Sequence, residues 1–470
     1  MNEERATSNR PRQTDHVSDF DAVVWGVEKD PQLRLTITAV LVLQGTPDRD
    51  QLLERLERMS RSAPGFRHRL LAPPLRLATP RWCVDPDFDL SYHLRWIGAP
   101  EPKTLDAVLE YVGQSTMSGL DHDRPLWQFT VIDGLDGDES VVIIKFHHVL
   151  ADGVGLLAIV PLLMDLSPEP RDLGPLPPVP EGGPMTRRDL IRDALSTNRD
   201  RLTGLVFALS AATRRNGPHA LRHPIRTGAT AARTVRAQGR LMKPATETLS
   251  PLMVGRHGWS RFATLDVDLD RLKRAAKAHG ATVNDAFVTA VATGLASYHE
   301  QHGAPVQELR ATVAINTRRP DDPPYGNRAL GGRIKIPVGT EDLAGYMTRY
   351  HELISEMRDD VHQPLASAFA VALNSIGPLM AGYMGAMMKH CDFATTNIPG
   401  IQVPVYLGGA EVTGFYGFGP TMGTALTVTL VSYCNTAFIG VHVDAGAVPD
   451  IDVLVDHLSQ GFDGVLSLDA

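Results

Sequence analysis

The chain has 470 residues, more than a single hydrophobic core usually supports, so two domains are expected. Its 43% hydrophobic and 21% charged residues are ordinary for a folded protein, and the net charge of −8 with no recognisable nucleic-acid motif argues against DNA or RNA as a partner. Cys83, Cys391 and Cys434 have neither metal-ligand nor redox spacing, so no metal is expected and a reducing, cytoplasmic compartment is. Residues 1–17 are polar and charged, which predicts a disordered N-terminus and no secretory leader.

An N-terminal domain is expected over residues 18–170. Its clearest element is the apolar run Val141 to Phe146, β-branched and aromatic, which reads as a buried strand. The run ends in His147 and His148, followed by Asp152 and Gly153. Side chains alternate along a strand, so His148 shares a face with Ile144 and Phe146, and His147 points the other way with Ile143 and Lys145. Asp152 is a suitable N-cap for a predicted helix over Val154 to Met164, and Gly153 and Gly155 permit a tight backbone path before it.

Leu173 to Pro184 is proline-rich and opens a linker expected over residues 171–250. Between Met185 and Lys243, thirteen Arg and Lys face three Asp, a local charge of +10 that leaves −18 for the rest of the chain. Helical composition over Arg187 to Ala212 and Thr230 to Met242 reads as a solvated connector; attraction to an anionic membrane or to anionic phosphates is the alternative.

The second domain is expected over residues 251–470. Arg261 to Leu269 alternates as a strand, and Asp270 to Ala278 reads as a helix closed by Gly280. Thr282 and Asp285 form a capping-box pattern before a helix running to His302, a structural account of Asp285. Asn284 beside it offers a carboxamide that can hydrogen-bond in a cleft. Strands are predicted over Leu309 to Ile315, Gly332 to Val338, Phe393 to Asn397, Val403 to Gly408 and Ala425 to Tyr433. The uncharged stretch Ser367 to Met388 is long enough to span a bilayer, yet Asn374 and the Gly377-Pro378 break read as two short buried helices. Its Met380, Met384, Met387 and Met388 suit ordinary core, an acyl-chain tunnel wall or a lipid-touching face. Two strand-rich halves with helices give an α+β or mixed α/β chain.

Imidazole titrates near neutrality, so a strand-end histidine can take a proton from an alcohol and return it to a leaving group. The bland reading is a pair of core histidines bonded to backbone. Against it stands the whole pattern His147-His148-x-x-x-Asp152-Gly153, which resembles the HHxxxDG signature of the CoA-dependent acyltransferase superfamily. Further blocks resemble the bacterial wax ester synthase/diacylglycerol acyltransferases in order and spacing: Trp82 to Leu94, Pro125-Leu126-Trp127, Asn284-Asp285, Ala314 to Arg318, and Asn397-x-Pro399-Gly400. Two stretches depart from that pattern. Ser18-Asp19-Phe20-Asp21 lacks a proline, and Tyr416 to Pro420 replaces a Tyr-Pro-x-x-Pro region.

The resemblance implies two chloramphenicol-acetyltransferase-like domains packed in a V, with the histidine motif at their interface. It implies acyl transfer from acyl-CoA, as substrate and without a further cofactor, to diacylglycerol or a long-chain alcohol, giving triacylglycerol or wax ester. His148 would be the general base. His147 would support the loop, Asp152 would pair with an arginine, and Asn284 or backbone N–H groups near Gly153 would hold the oxyanion. No Gly-x-Ser-x-Gly nucleophile motif occurs, so direct transfer without an acyl-enzyme is expected. Peripheral association with a membrane or lipid body would suit such substrates. The alternatives are a condensation-type or polyketide-associated transferase using a carrier-protein thioester, a plant-type small-molecule acyltransferase, and a non-catalytic lipid-binding member.

Overall fold

The computed structural model describes the chain apart from residues 1–15, 29, 75–77, 153–154, 156, 183–184, 201–202, 204–244, 317–328, 362–387 and 470. Gly153, Arg318, most of the basic segment and residues 367–387 of the uncharged stretch therefore lie outside the described residues, as does nearly all of the expected disordered terminus. At the edge of that terminus, Val17 is buried and its N–H donates to the Pro80 carbonyl at 2.9 Å.

In the first half the elements are α1 (Asp19–Val27), β1 (Thr36–Gln44), α2 (Arg49–Ser62), β2 (His68–Leu71), β3 (Arg81–Val84), α3 (Leu90–His93), β4 (Leu94–Gly98), α4 (Leu105–Met117), β5 (Trp127–Leu135), β6 (Glu139–His147) and α5 (Val160–Leu163). The second half contributes β7 (Ser260–Asp268), α6 (Leu269–Ala278), α7 (Val283–Gln301), β8 (Glu308–Asn316), β9 (Ala329–Pro337), α8 (Leu343–Val361), β10 (Phe393–Ile398), β11 (Tyr406–Leu407), β12 (Ala410–Phe418), β13 (Leu426–Tyr433), β14 (Thr436–Asp444) and α9 (Ile451–Leu466). Residues 187–200 are also helical.

Local signals set the helix starts. Asp48, Thr104 and Asp268 each accept a backbone N–H of the first turn of α2, α4 and α6. Thr282 and Asp285 form the predicted capping box at the start of α7.

Two six-stranded sheets form the frame, ordered β11-β12-β1-β6-β5-β4 and β7-β14-β13-β10-β8-β9. They repeat one plan. β1 pairs antiparallel with β6, β6 with β5, and β5 runs parallel to β4; β7, β14, β13 and β10 follow the same sequence of pairings. The sheets do not divide at the middle of the chain. β11 and β12, from the second half, complete the first sheet beside β1. There β12 lies against the second sheet: Tyr416 donates to Asp266 at 2.8 Å, and Phe418 meets Phe262 edge-on at 4.8 Å. The approach is close enough that a Cβ on Gly440 of β14 would meet the Gly417 carbonyl at 2.1 Å.

One face of the second sheet, carrying Leu309, Ala311, Val313, Val428 and Leu430, packs in a common core with α7 and α9. Alternation turns Thr312, Ala314, Thr396, Thr429 and Val431 to the other face, toward the first half.

Two sequence expectations need correction. The helix predicted over Val154 to Met164 is interrupted among its described residues: turn geometry at 158–159 separates residues 155 and 157 from α5. Pro161, lacking an N–H, sits in the first turn of α5, where it starts a helix and cannot continue one. The strand predicted over Val403 to Gly408 shrinks to Tyr406–Leu407, because Pro404 cannot join a ladder and Gly408-Gly409 turns the chain with φ of 54° and 80° into β12.

Candidate active site

β6 carries the histidines to the junction of the two halves. Its pairing with β1 extends past its last residue, since the His148 N–H donates to the Leu35 carbonyl at 2.8 Å, and the chain then turns, Leu150 N–H to His147 carbonyl at 3.0 Å. His148 lines an apolar cavity of about 130 Å³ between the two sheets. Ile37, Ile144 and Phe146 of the first sheet form one wall, Thr396, Ile398 and Val431 of the second the opposite one, and Leu163 and Met164 lie at or beside α5. The alternation read from the sequence is observed: Ile144, Phe146 and His148 share the cavity.

His148 borders this cavity, and burial there pushes its pKa down to about 4, with the Asp152 carboxylate pulling in the opposite direction. The imidazole is therefore neutral at physiological pH, the state that can accept a proton. Asp152 is buried, lines the same cavity, and its Oδ1 accepts the Gly155 N–H at 2.6 Å, closing the loop after the histidines.

His147 faces away, fully buried. Its Nδ1 accepts the Val149 N–H at 3.0 Å, so the ring proton belongs on Nε2, which donates to Glu28 Oε2 at 2.7 Å. Glu28 also accepts the Leu35 N–H at 3.3 Å and lies 3.4 Å from His122. Burial raises the Glu28 pKa, but hydrogen bonds from His122 and His147 outweigh it and hold the carboxyl well below the usual carboxylate range. One carboxylate thus ties the end of β6 to the residue preceding β1, the two chain segments that hold the His148 backbone. Sequence reading missed Glu28; its signal is an acid directly after the apolar run Ala22 to Val27. On the same face as His147, Lys145 donates to the Ser115 carbonyl at 2.6 Å, and burial with Arg95 and Arg34 nearby pushes its pKa down to about 8.

The other sequence candidates separate. Leu126 accepts the His147 N–H at 2.9 Å, and Trp127, 1% exposed, donates to the Phe66 carbonyl at 2.8 Å and stacks on His93 at 4.2 Å. With buried Pro125, this block braces β6 from the neighbouring strand and does not line the cavity. Asp285 caps α7 and accepts from His351 at 2.8 Å, on the helix-covered side of the second sheet. Asn284, half-buried beside it, is also absent from the described cavity wall. Asn397 lies between Thr396 and Ile398 on β10, so alternation directs it away from the cavity those two line.

Comparison with known proteins adds the relatives. Residues 17–287 match the wax ester synthase/diacylglycerol acyltransferase catalytic domain, and residues 325–465 match the C-terminal domain of the same family. A Mycobacterium tuberculosis protein named as a diacylglycerol O-acyltransferase is 32% identical over 462 residues, covering 97% of this chain and 93% of its own. A second, from the same organism and named likewise, is 26% identical over 459 residues, covering 93% and 92%. Among solved structures, the wax ester synthase/diacylglycerol acyltransferase of Marinobacter aquaeolei VT8 superposes with a TM-score of 0.63 at 21% identity, covering 96% of this chain and 98% of that one. The first condensation domain of the calcium-dependent antibiotic synthetase superposes at 0.60 with 18% identity, covering 97% and 96%.

Proposed function

The chain belongs to the wax ester synthase/diacylglycerol acyltransferase family and is an O-acyltransferase, and on that premise we propose that it transfers a long acyl group from acyl-CoA to diacylglycerol or a long-chain alcohol, with His148 as general base. The observation that carries this reading is a neutral, largely buried imidazole set in the wall of a mostly apolar cavity between the two sheets. A long alkyl chain gains from such a lining, and a hydroxyl brought beside the imidazole can lose its proton there.

The acceptor oxygen forms its bond to the thioester carbonyl carbon as its proton passes to His148. The carbonyl π pair moves to oxygen; its return breaks the C–S bond, and the CoA thiolate takes the proton from the histidinium. Every proton is accounted for by one imidazole, so the sequence needs neither an acyl-enzyme nor a cofactor. His147 and Asp152 shape the loop around the base: one is paired with Glu28, the other folded onto the Gly155 N–H.

Purified protein given one long-chain acyl-CoA with diacylglycerol, hexadecanol and monoacylglycerol in competition tests the reading, with products resolved by mass spectrometry. Triacylglycerol, wax ester or both, formed in step with CoA release, is the expected result. Release of CoA without any ester product would contradict it.

A further inference from the structure

Transfer through a tetrahedral intermediate requires a hydrogen-bond donor aimed at the developing oxyanion, a requirement that rests on the acyl-transfer reading above. The geometry points to Thr396 as that catalytic residue, its hydroxyl donating to the oxyanion from the wall opposite His148.

Four observations place it there. Thr396 lines the cavity together with His148, and it does so from the second sheet, whereas His148 comes from the first. On β10 it alternates with Thr395, whose side is the helix-packed one with Phe393, so its hydroxyl is on the cavity side with Ile398. The cavity wall around it is mostly apolar, which strengthens a hydrogen bond made there to a charged oxygen. Its hydroxyl makes no hydrogen bond among the described residues, so the O–H is available to a ligand. Its in-register neighbour Thr429 is differently employed: that hydroxyl accepts the Gly419 N–H at 3.1 Å and so helps hold β12 to the second sheet. Asn284, the carboxamide suggested by sequence, stands at the start of α7 on the other side of the sheet and does not reach this wall.

Base and oxyanion donor thus come from different halves of the chain. The hydroxyl donates its proton as a hydrogen bond and keeps it throughout; the negative charge on the carbonyl oxygen appears as the acceptor oxygen adds and disappears as the C–S bond breaks.

Steady-state kinetics of the full chain with one acyl-CoA and one acceptor, following CoA release, test this on Thr396→Val, Thr396→Ser and Thr429→Val. Thr396→Val, close in shape but without the hydroxyl, should lower kcat about 10²- to 10³-fold while KM for acyl-CoA changes less than about threefold. Thr396→Ser should recover most of kcat, and Thr429→Val should lose less than Thr396→Val. A kcat for Thr396→Val within about threefold of the parent protein, a serine variant as impaired as the valine one, or a larger loss at Thr429 would each overturn the assignment. An inactive parent protein would instead remove the acyl-transfer reading beneath it.

Discussion

The adjacent histidines illustrate how one residue of register separates two jobs. Loss of His148 should abolish acyl transfer with little change in melting temperature, because its side chain borders a cavity. Loss of His147 should instead strand the buried Glu28 carboxylate, and His147→Ala is expected to destabilise the fold by about 3 kcal/mol, read as a lowered denaturation midpoint. Equal midpoints for the two alanine variants would count against this division. Because burial holds His148 near 4, kcat/KM should be flat from pH 6 to 8, whereas an imidazole at its ordinary value would lose half its rate near pH 6.5. His442 is likewise buried and pushed down to about 4, its two ring nitrogens hydrogen-bonded to the Gly419 carbonyl and the Ser260 hydroxyl. For both groups the unfolded chain takes up the proton first, so stability is full above about pH 6.5 and falls as pH drops toward 4. A His442→Gln variant should lose less stability across that window than the parent protein in pH-dependent thermal melts; an identical acid limb would argue against the linkage. At this scale the sequence revealed the split of His147 from His148 through simple alternation. It could not reveal Glu28 or Thr396, because each meets its partners across long separations that only the sheets bring together.

Elements with a strong local period were legible: β6, β7, α6, α7 and β13 lie within about two residues of where alternation and caps put them. β12 was not. Its residues Ala410 to Phe418 contain Gly414 and Gly417, which blur a strand pattern, and those small residues are what a close inter-sheet approach requires. Gly440 makes the point testable. A methyl there would strike the Gly417 carbonyl, so Gly440→Ala should part the sheets at the edge of the cavity, lowering the melting temperature by several degrees and activity with it. An unchanged melting temperature would show that the two strands are not so closely opposed. The Pro125-Leu126-Trp127 block belongs at this scale too. It is marked in the sequence by its resemblance to a family motif, and in the structure it braces β6 from the neighbouring strand.

Across the whole molecule, the two halves are interlocked rather than merely adjacent. β12 completes the first sheet, Lys389 pairs with Asp30 at 2.5 Å, and Gln32 donates to the Arg256 carbonyl at 2.6 Å. A fragment ending at residue 250 would expose the full edge of β1, and it should fail to fold alone; in the full chain, calorimetry should show one transition for both halves. Two well-separated transitions would indicate independent domains. Among the described residues no helix is long and apolar enough to cross a membrane. The mixed α/β class was legible in the repeated strand and helix signals of both halves. The exchange of β11 and β12 was not, since pairing partners more than 360 residues apart leave no local trace.

The central claim is that a neutral His148, in the wall of an apolar cavity, transfers acyl groups directly from CoA to a lipid hydroxyl. Rapid-quench measurement of CoA release and ester formation in the parent protein and in His148→Ala tests it most directly. The account predicts CoA and ester appearing at one rate, with no burst of CoA ahead of product and no ester from the alanine variant. A stoichiometric burst of CoA preceding ester, or a folded His148→Ala protein that still makes ester at the parent rate, would contradict it.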